Sequence, residues 1–297
     1  MPFKKALFWV VFWVTLALLF NAGVFLFEGP QKAIDFFTGY LIELSLSVDN
    51  LFLFLMVFSA FGVPGQYQRR VLTYGIIGAV IFRLAFILAG ASLVEKFQWV
   101  LYIFGGLLIV SAFKFIFGGE EKIDLEKNWL TRFVRRFIPV TCEYHEEKFT
   151  VRINGRLHMT PLLLVLLIIE STDIMFAIDS IPAIFSITTD PFIVFTSNIF
   201  AILGLRSMYF FLERIQRLFI YVKQGVGAIL FLTGVKLLLL IFDIHVPTGL
   251  ALGMIALILT VSVVASLIAS RKGKVHPAAH VESWECPLPA QEKEKRA

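Results

Sequence analysis

Two stretches of the chain place carboxylates inside otherwise apolar runs: Glu43-Leu-Ser-Leu-Ser-Val-Asp49-Asn50 and Glu170-Ser-Thr-Asp173-Ile-Met-Phe-Ala-Ile-Asp179-Ser180. Each contains an acid, five residues, an Asp and then a small polar residue. A carboxylate near the centre of a bilayer costs at least about 2.5–3.5 kcal/mol on insertion scales. Acids kept at that cost point to a positively charged cargo. Carboxylate, amide, hydroxyl and carbonyl oxygens suit magnesium, calcium or manganese, whereas copper and zinc recruit imidazole or thiolate. All five histidines (His145, His158, His245, His276, His280) and both cysteines (Cys142, Cys286) fall outside the apolar runs or at their edges. Protons are the other candidate cargo, because a buried carboxylate can exchange a proton for a metal.

Spacing limits how these acids are used. On an unbroken helix, Glu43 and Asp49 lie about 120° apart, while Glu43, Ser47 and Asn50 share a face. Either the helix breaks and frees backbone carbonyls, which Pro182 would favour in the second stretch, or each helix sends one acid to a central site and the other to a partner. Glu170 and Asp173, three apart, share a face. Arg83 and Arg206 sit well inside apolar runs and require acidic partners, either as a lock between halves or as a gate. Lys114 lies near a run's end, where it can snorkel, and Lys236 lies deeper. Asn21 and Asn198 are secondary polar candidates.

The elements that carry these residues are membrane spans. Of 297 residues, 58% are hydrophobic and 16% charged, with mean hydropathy +0.81; soluble domains carry about 25% charged residues. The net charge of +5 follows from basic loops and does not imply nucleic-acid binding. A span needs roughly 20 apolar residues, which predicts an all-α, eight-helix membrane protein with spans near 6–27, 34–60, 71–93, 97–117, 159–187, 192–212, 219–242 and 247–269. Basic residues at Lys4, Lys5, Arg69, Arg70, Arg214, Arg217, Lys223, Arg271 and Lys272 fall on one face of this arrangement, so both termini are expected in the cytoplasm.

Laying Asp49 on Asp179 also lays Glu43 on Asp173 and Asn50 on Ser180; further on, Arg83 falls on Arg206 and Lys114 on Lys236. This predicts an inverted repeat of three helices each, with its site at the midplane. The expected organisation is an N-terminal helix (1–33), a first repeat (34–117), a cytoplasmic connector (118–158) with a hairpin at Asn154-Gly155, a second repeat (159–242), a C-terminal helix (243–270) and a disordered tail (271–297).

Leu41-Ile-Glu43-Leu-Ser-Leu-Ser-Val-Asp49-Asn50-Leu-Phe, Glu170-Ser-Thr-Asp173-Ile-Met-Phe-Ala-Ile-Asp179-Ser180-Ile-Pro182-Ala-Ile-Phe and Thr196-Ser-Asn198-Ile-Phe-Ala-Ile-Leu-Gly-Leu-Arg206-Ser-Met-Tyr-Phe resemble the signatures of the TerC/Alx family of bacterial membrane proteins. The similarity covers roughly residues 6–268. The resemblance implies a divalent-cation exporter, chiefly for manganese, related to lysine-exporter-like transporters. It also implies a link to tellurium resistance and to metal loading of exported enzymes. Close relatives are expected to carry a further N-terminal span with an intramembrane Asp before the segment that starts here at Lys4.

The leading expectation is an Mn²⁺ exporter of the bacterial inner membrane without a tightly bound cofactor. Glu43, Asp49, Asp173 and Asp179 form or flank its site, and Asn50 and Ser180 supply neutral oxygens. Glu170, Arg83, Arg206, Asn198 and Lys236 serve gating or proton movement. Expected partners are the metal ion, the lipid bilayer and exported metalloproteins or their secretion machinery, with no nucleic acid. An intramembrane aspartyl protease is disfavoured because neither Asp49 nor Asp179 has a Gly-x-Gly-Asp context. The remaining alternative is a non-transporting scaffold linked to tellurite resistance or to assembly of exported proteins.

Overall fold

The computed structural model describes residues 3–117, 138–141, 143–153, 155–215 and 221–271, apart from the side chains of Phe3, Asp49, Phe115, Arg214, Ile215 and Arg271. Much of the connector, the tail beyond Arg271, Asn154 and both cysteines lie outside the described residues. Those residues form eight α-helices: α1 (Phe3–Glu28), α2 (Pro30–Ala60), α3 (Gly65–Lys96), α4 (Val100–Phe117), α5 (Pro161–Phe185), α6 (Pro191–Ile215), α7 (Val222–Leu239) and α8 (Thr248–Arg271). Seven are long and apolar enough to cross a membrane; α4, apolar over Val100–Lys114, is shorter. Large apolar side chains such as Phe8, Leu19, Leu26, Ile81, Leu257 and Val261 point outward, as a lipid-facing surface requires, since in hydrocarbon the backbone must satisfy itself within helices.

The helices that carry the acidic stretches are, with α6, the most enclosed. Helix α2 packs on α5 and α6, α3 packs on the same two helices, and α4 lies along α7. Exchanging α2, α3 and α4 for α5, α6 and α7 carries these packing pairs onto one another. At the α4–α7 crossing two glycines meet: a Cβ on Gly105 would stand 3.0 Å from the Gly234 carbonyl oxygen, and one on Gly234 would stand 2.9 Å from that of Gly105. Side chains would force these backbones apart.

Local signals set the helix ends. Asp190 caps α6, accepting from the Phe192 backbone N–H at 3.0 Å, with Pro191 at the first helical position. It also pairs with Lys32 of α2 at 3.0 Å. The connector ends in a hairpin, β1 (Thr150–Ile153) and β2 (Arg156–Met159), paired antiparallel with Ile153 opposite Arg156. It docks on the turn after α2, where the Tyr144 hydroxyl donates to the Phe61 carbonyl at 2.7 Å and burial pushes the Tyr144 phenol up to about 12. Pro182 does not break α5, which runs unbroken to Phe185; α2 is likewise continuous through its acidic stretch. The broken-helix alternative therefore falls. Pro182 sits in the last turn, where losing one backbone bond is tolerated.

Two outcomes follow from this packing. Replacing Gly234 with Ala overpacks the crossing and lowers the thermal stability of the detergent-solubilised protein by about 1–3 kcal/mol. Partial burial pushes the Asp190 carboxyl up, but hydrogen bonds from Lys32 and the Phe192 N–H outweigh it and hold the group below the usual carboxylate range. Its stabilisation is thus complete above the unfolded-state value and lost as pH falls through the lower folded one. Asp190→Ala costs about 1 kcal/mol near neutral pH, and melting curves of variant and wild type converge on acidification below about pH 4.

Candidate cation site in the helix core

Helices α2, α3, α5 and α6 converge on one charged layer. The Arg83 guanidinium from α3 donates to Glu43 Oε1 of α2 through Nη1. It donates to Asp173 of α5 through Nη2 at 3.1 Å to Oδ1 and through Nε at 3.4 Å to Oδ2. Nη1 also donates to Asn198 Oδ1 of α6 at 3.1 Å and to Ser180 Oγ at 3.5 Å. The Asn198 amide in turn donates to Glu43 Oε2 at 3.1 Å. The side chains of Glu43, Arg83 and Asp173 are 0%, 1% and 5% exposed, so three charges lie entirely out of water. Such a cluster survives only when each charge is paired and hydrogen-bonded.

Apolar layers close it on both sides. Leu51 and Phe54 of α2, Leu72 of α3, Ile168 and Ile169 of α5 and Ile202 of α6 belong to one buried cluster. Ile87 of α3, Ala177, Ile181 and Phe185 of α5 and Val194 of α6 form another. Arg83 and Asp173 fall between the two along their helices. Ser47 Oγ and both polar atoms of the Asn50 amide, on the Glu43 face of α2, are buried without a hydrogen-bond partner.

The remaining sequence candidates are dispersed. Asp179, six residues beyond Asp173 and so about 9 Å along α5 and turned away, accepts a hydrogen bond from Ser111 of α4 at 2.7 Å. The Asp49 side chain lies outside the described residues. Among the described residues, no three His, Cys, Asp or Glu side chains gather closely enough to hold a metal ion. Glu170 is 9% exposed, and its carboxylate rests on Gly78 of α3, where a Cβ would stand 2.2 Å from Oε1; its Oε2 has no partner. Lys236 is half-buried and interacts with Asp35 of α2, and Lys114 is exposed.

Arg206 departs from expectation. It is exposed and donates to Thr73 Oγ1 at 3.4 Å, with no acidic partner among the described residues. Arg83 and Arg206, expected to correspond in an inverted repeat, therefore occupy different surroundings. Asn198 is the α6 side chain that reaches the charged layer, and Arg206 lies eight residues, about 12 Å, further along the helix.

Sequence reasoning passed over Asp35, Ser111 and Gly78. Asp35 is 8% exposed and accepts from Gln31 at 3.0 Å. For Asp35 the signal was an acid near the start of an apolar run; Ser111 and Gly78 carried none, since each gains its role only from the side chain that α5 brings to it.

These features define a polytopic integral membrane protein with an ionised layer buried among its spanning helices. The family model for the integral membrane protein TerC family matches residues 28–274, and the chain belongs to that family. It is 49% identical over 269 residues to the "Uncharacterized membrane protein STKORF319" of Myxococcus xanthus, covering 91% of this chain and 84% of that one. It is 46% identical over 263 residues to the "Putative membrane-bound redox modulator Alx" of Escherichia coli K12, covering 86% of this chain and 82% of the relative. With the "Thylakoid membrane protein TERC, chloroplastic" of Arabidopsis thaliana it shares 44% identity over 265 residues, covering 89% and 69% of the two chains. No solved structure matches it.

Replacing Asn198 with Ala leaves Glu43 Oε2 buried without its donor. A lost partner of a buried polar group costs about 1–3 kcal/mol, more for a charged one, readable as a lowered unfolding temperature in detergent.

Proposed function

We propose that this protein exports divalent cations, foremost Mn²⁺, from the cytoplasm through the charged layer between its two three-helix halves. The observation that carries the reading is the set of buried oxygen donors left without partners on α2, Ser47 Oγ and Asn50 Oδ1, on the helix face that presents Glu43. Buried polar groups are almost always paired, so donors kept dry and unpaired fit a transient guest. Carboxylate, amide and hydroxyl oxygens select a hard cation. Glu43 and Asp173 supply the central charge, with Ser180 beside them. Asp179 and Asp49, one turn and a half further along their helices, flank it as stations on the way in or out.

In this reading residues 34–117 and 159–242 are the two halves, and they rock about the α4–α7 crossing, first toward one face and then toward the other. Glu170 returns protons in exchange for metal. Both termini face the cytoplasm, the side on which the basic loops gather, and the membrane is the bacterial inner membrane.

The test is flux. Protein reconstituted in vesicles is expected to move Mn²⁺, to be inhibited by Ca²⁺ more than by Zn²⁺, and to run faster when an opposing proton gradient is imposed. Vesicles that move no divalent ion refute the reading. In cells under manganese load, Asp179→Asn is expected to leave more manganese inside than the wild type does; equal accumulation removes Asp179 from the path.

A further inference from the structure

We infer that Arg83 is a tethered counter-cation that competes with the transported metal, moving to Glu170 when the metal takes its place between Glu43 and Asp173. The inference rests on the transport reading of the same site.

Three observations carry it. First, the guanidinium and Asn198 together engage every oxygen of the Glu43–Asp173 pair: Oε1 and both Asp173 oxygens accept from Arg83, and Oε2 accepts from Asn198. Because the guanidinium bridges the two carboxylates, a divalent ion seated between them takes the place of Arg83. Second, with both carboxylates ionised the layer carries a net charge of −1 with Arg83 in place and −2 without it, and an unpaired buried charge is strongly unfavourable. Arg83 thus keeps the metal-free layer intact, so the protein can reorient after release. Third, a destination exists. Glu170 Oε2 is buried and unpartnered; its carboxylate lies on Gly78, about 7.5 Å and 140° of turn before Arg83 on α3, and Glu170 shares a face of α5 with Arg83's partner Asp173, about 4.5 Å along that helix. Side chains on a helix lean toward its N-terminus, which is the direction from Arg83 to Gly78. Glycine at position 78 leaves room for the acid there.

The proposal makes opposite forecasts for Arg83 and Glu170. Arg83→Gln removes the competitor, so purified protein in nanodiscs should bind Mn²⁺ roughly tenfold more tightly, the scale of a contact-pair coupling. Net efflux from vesicles should be lost while Mn²⁺/Mn²⁺ exchange persists, because only the metal-loaded form still reorients. Glu170→Gln removes the destination and should weaken binding several-fold. In the Arg83→Gln, Glu170→Gln double variant the Glu170 effect should vanish.

A residue that merely braces the fold has no reason to tighten binding or to separate exchange from net efflux. The inference is overturned if Arg83→Gln binds no more tightly than wild type, or if Glu170→Gln acts equally with and without Arg83. Should Arg83→Gln aggregate, Arg83→Lys, which meets the pair through a single nitrogen, is expected to bind several-fold tighter than wild type; unchanged affinity there overturns it equally. Wild-type protein that neither binds nor moves Mn²⁺ refutes the transport reading and this inference together, whereas wild-type flux with unchanged variants refutes this inference alone.

Discussion

Ion pairing in the absence of water governs this molecule. Glu43, Arg83 and Asp173 come from three helices, and each would be intolerable at its depth without the other two. The pairing sets which turns of α2, α3 and α5 must stand at one height and which faces must look inward. Asn198 adds α6 to the same constraint by bridging Arg83 and Glu43. The apolar clusters above and below the layer keep water away, and in doing so they strengthen every bond within it. Packing elsewhere follows from this requirement: α1 lies against α2 and α6, and α8 against α2 and α7, so the helices that carry charge are sheathed by helices that carry none to the core.

The helices were legible from hydropathy and length, because a bilayer leaves few solutions. The spans expected at 6–27 and 34–60 are α1 and α2, and each of the remaining six has its helix within a few residues, save at the start of α3. The buried acids were equally legible, since carboxylates in apolar runs stand out against their surroundings. Their division was less so. Six-residue spacing showed that Glu43 and Asp49, or Asp173 and Asp179, cannot share a face of a straight helix. It did not say which member of each pair turns inward, because that depends on how α3 and α6 approach. Arg206 shows the limit plainly. Like Arg83 it sits inside an apolar run, yet one pair of carboxylates accommodates one guanidinium, and α6 reaches the layer with Asn198. Gly78 and Ser111 were invisible for a related reason: small residues acquire meaning only from what a neighbouring helix brings to them.

The α4–α7 crossing complements the charged layer. Where α2, α3, α5 and α6 are joined by directional bonds, α4 and α7 meet at Gly105 and Gly234, whose backbones approach closely beside the apolar side chains of Leu108, Ile109, Leu237 and Leu238. That contact is non-directional: it rests on close packing alone, with no hydrogen bond or charge among the described residues to fix it. The charged layer, by contrast, is fixed by hydrogen bonds and ion pairs whose directions admit one geometry.

Burial of the Glu43–Arg83–Asp173 layer between apolar clusters has a consequence for the medium outside. Dissolved electrolyte screens charges only where its ions can approach, over a Debye length of roughly 8 Å at physiological ionic strength. The exposed Arg70–Glu147 pair at the hairpin lies within that atmosphere and weakens as salt rises. The inner layer does not, so the surface of the protein senses the saltiness of the cell while its core remains indifferent to it.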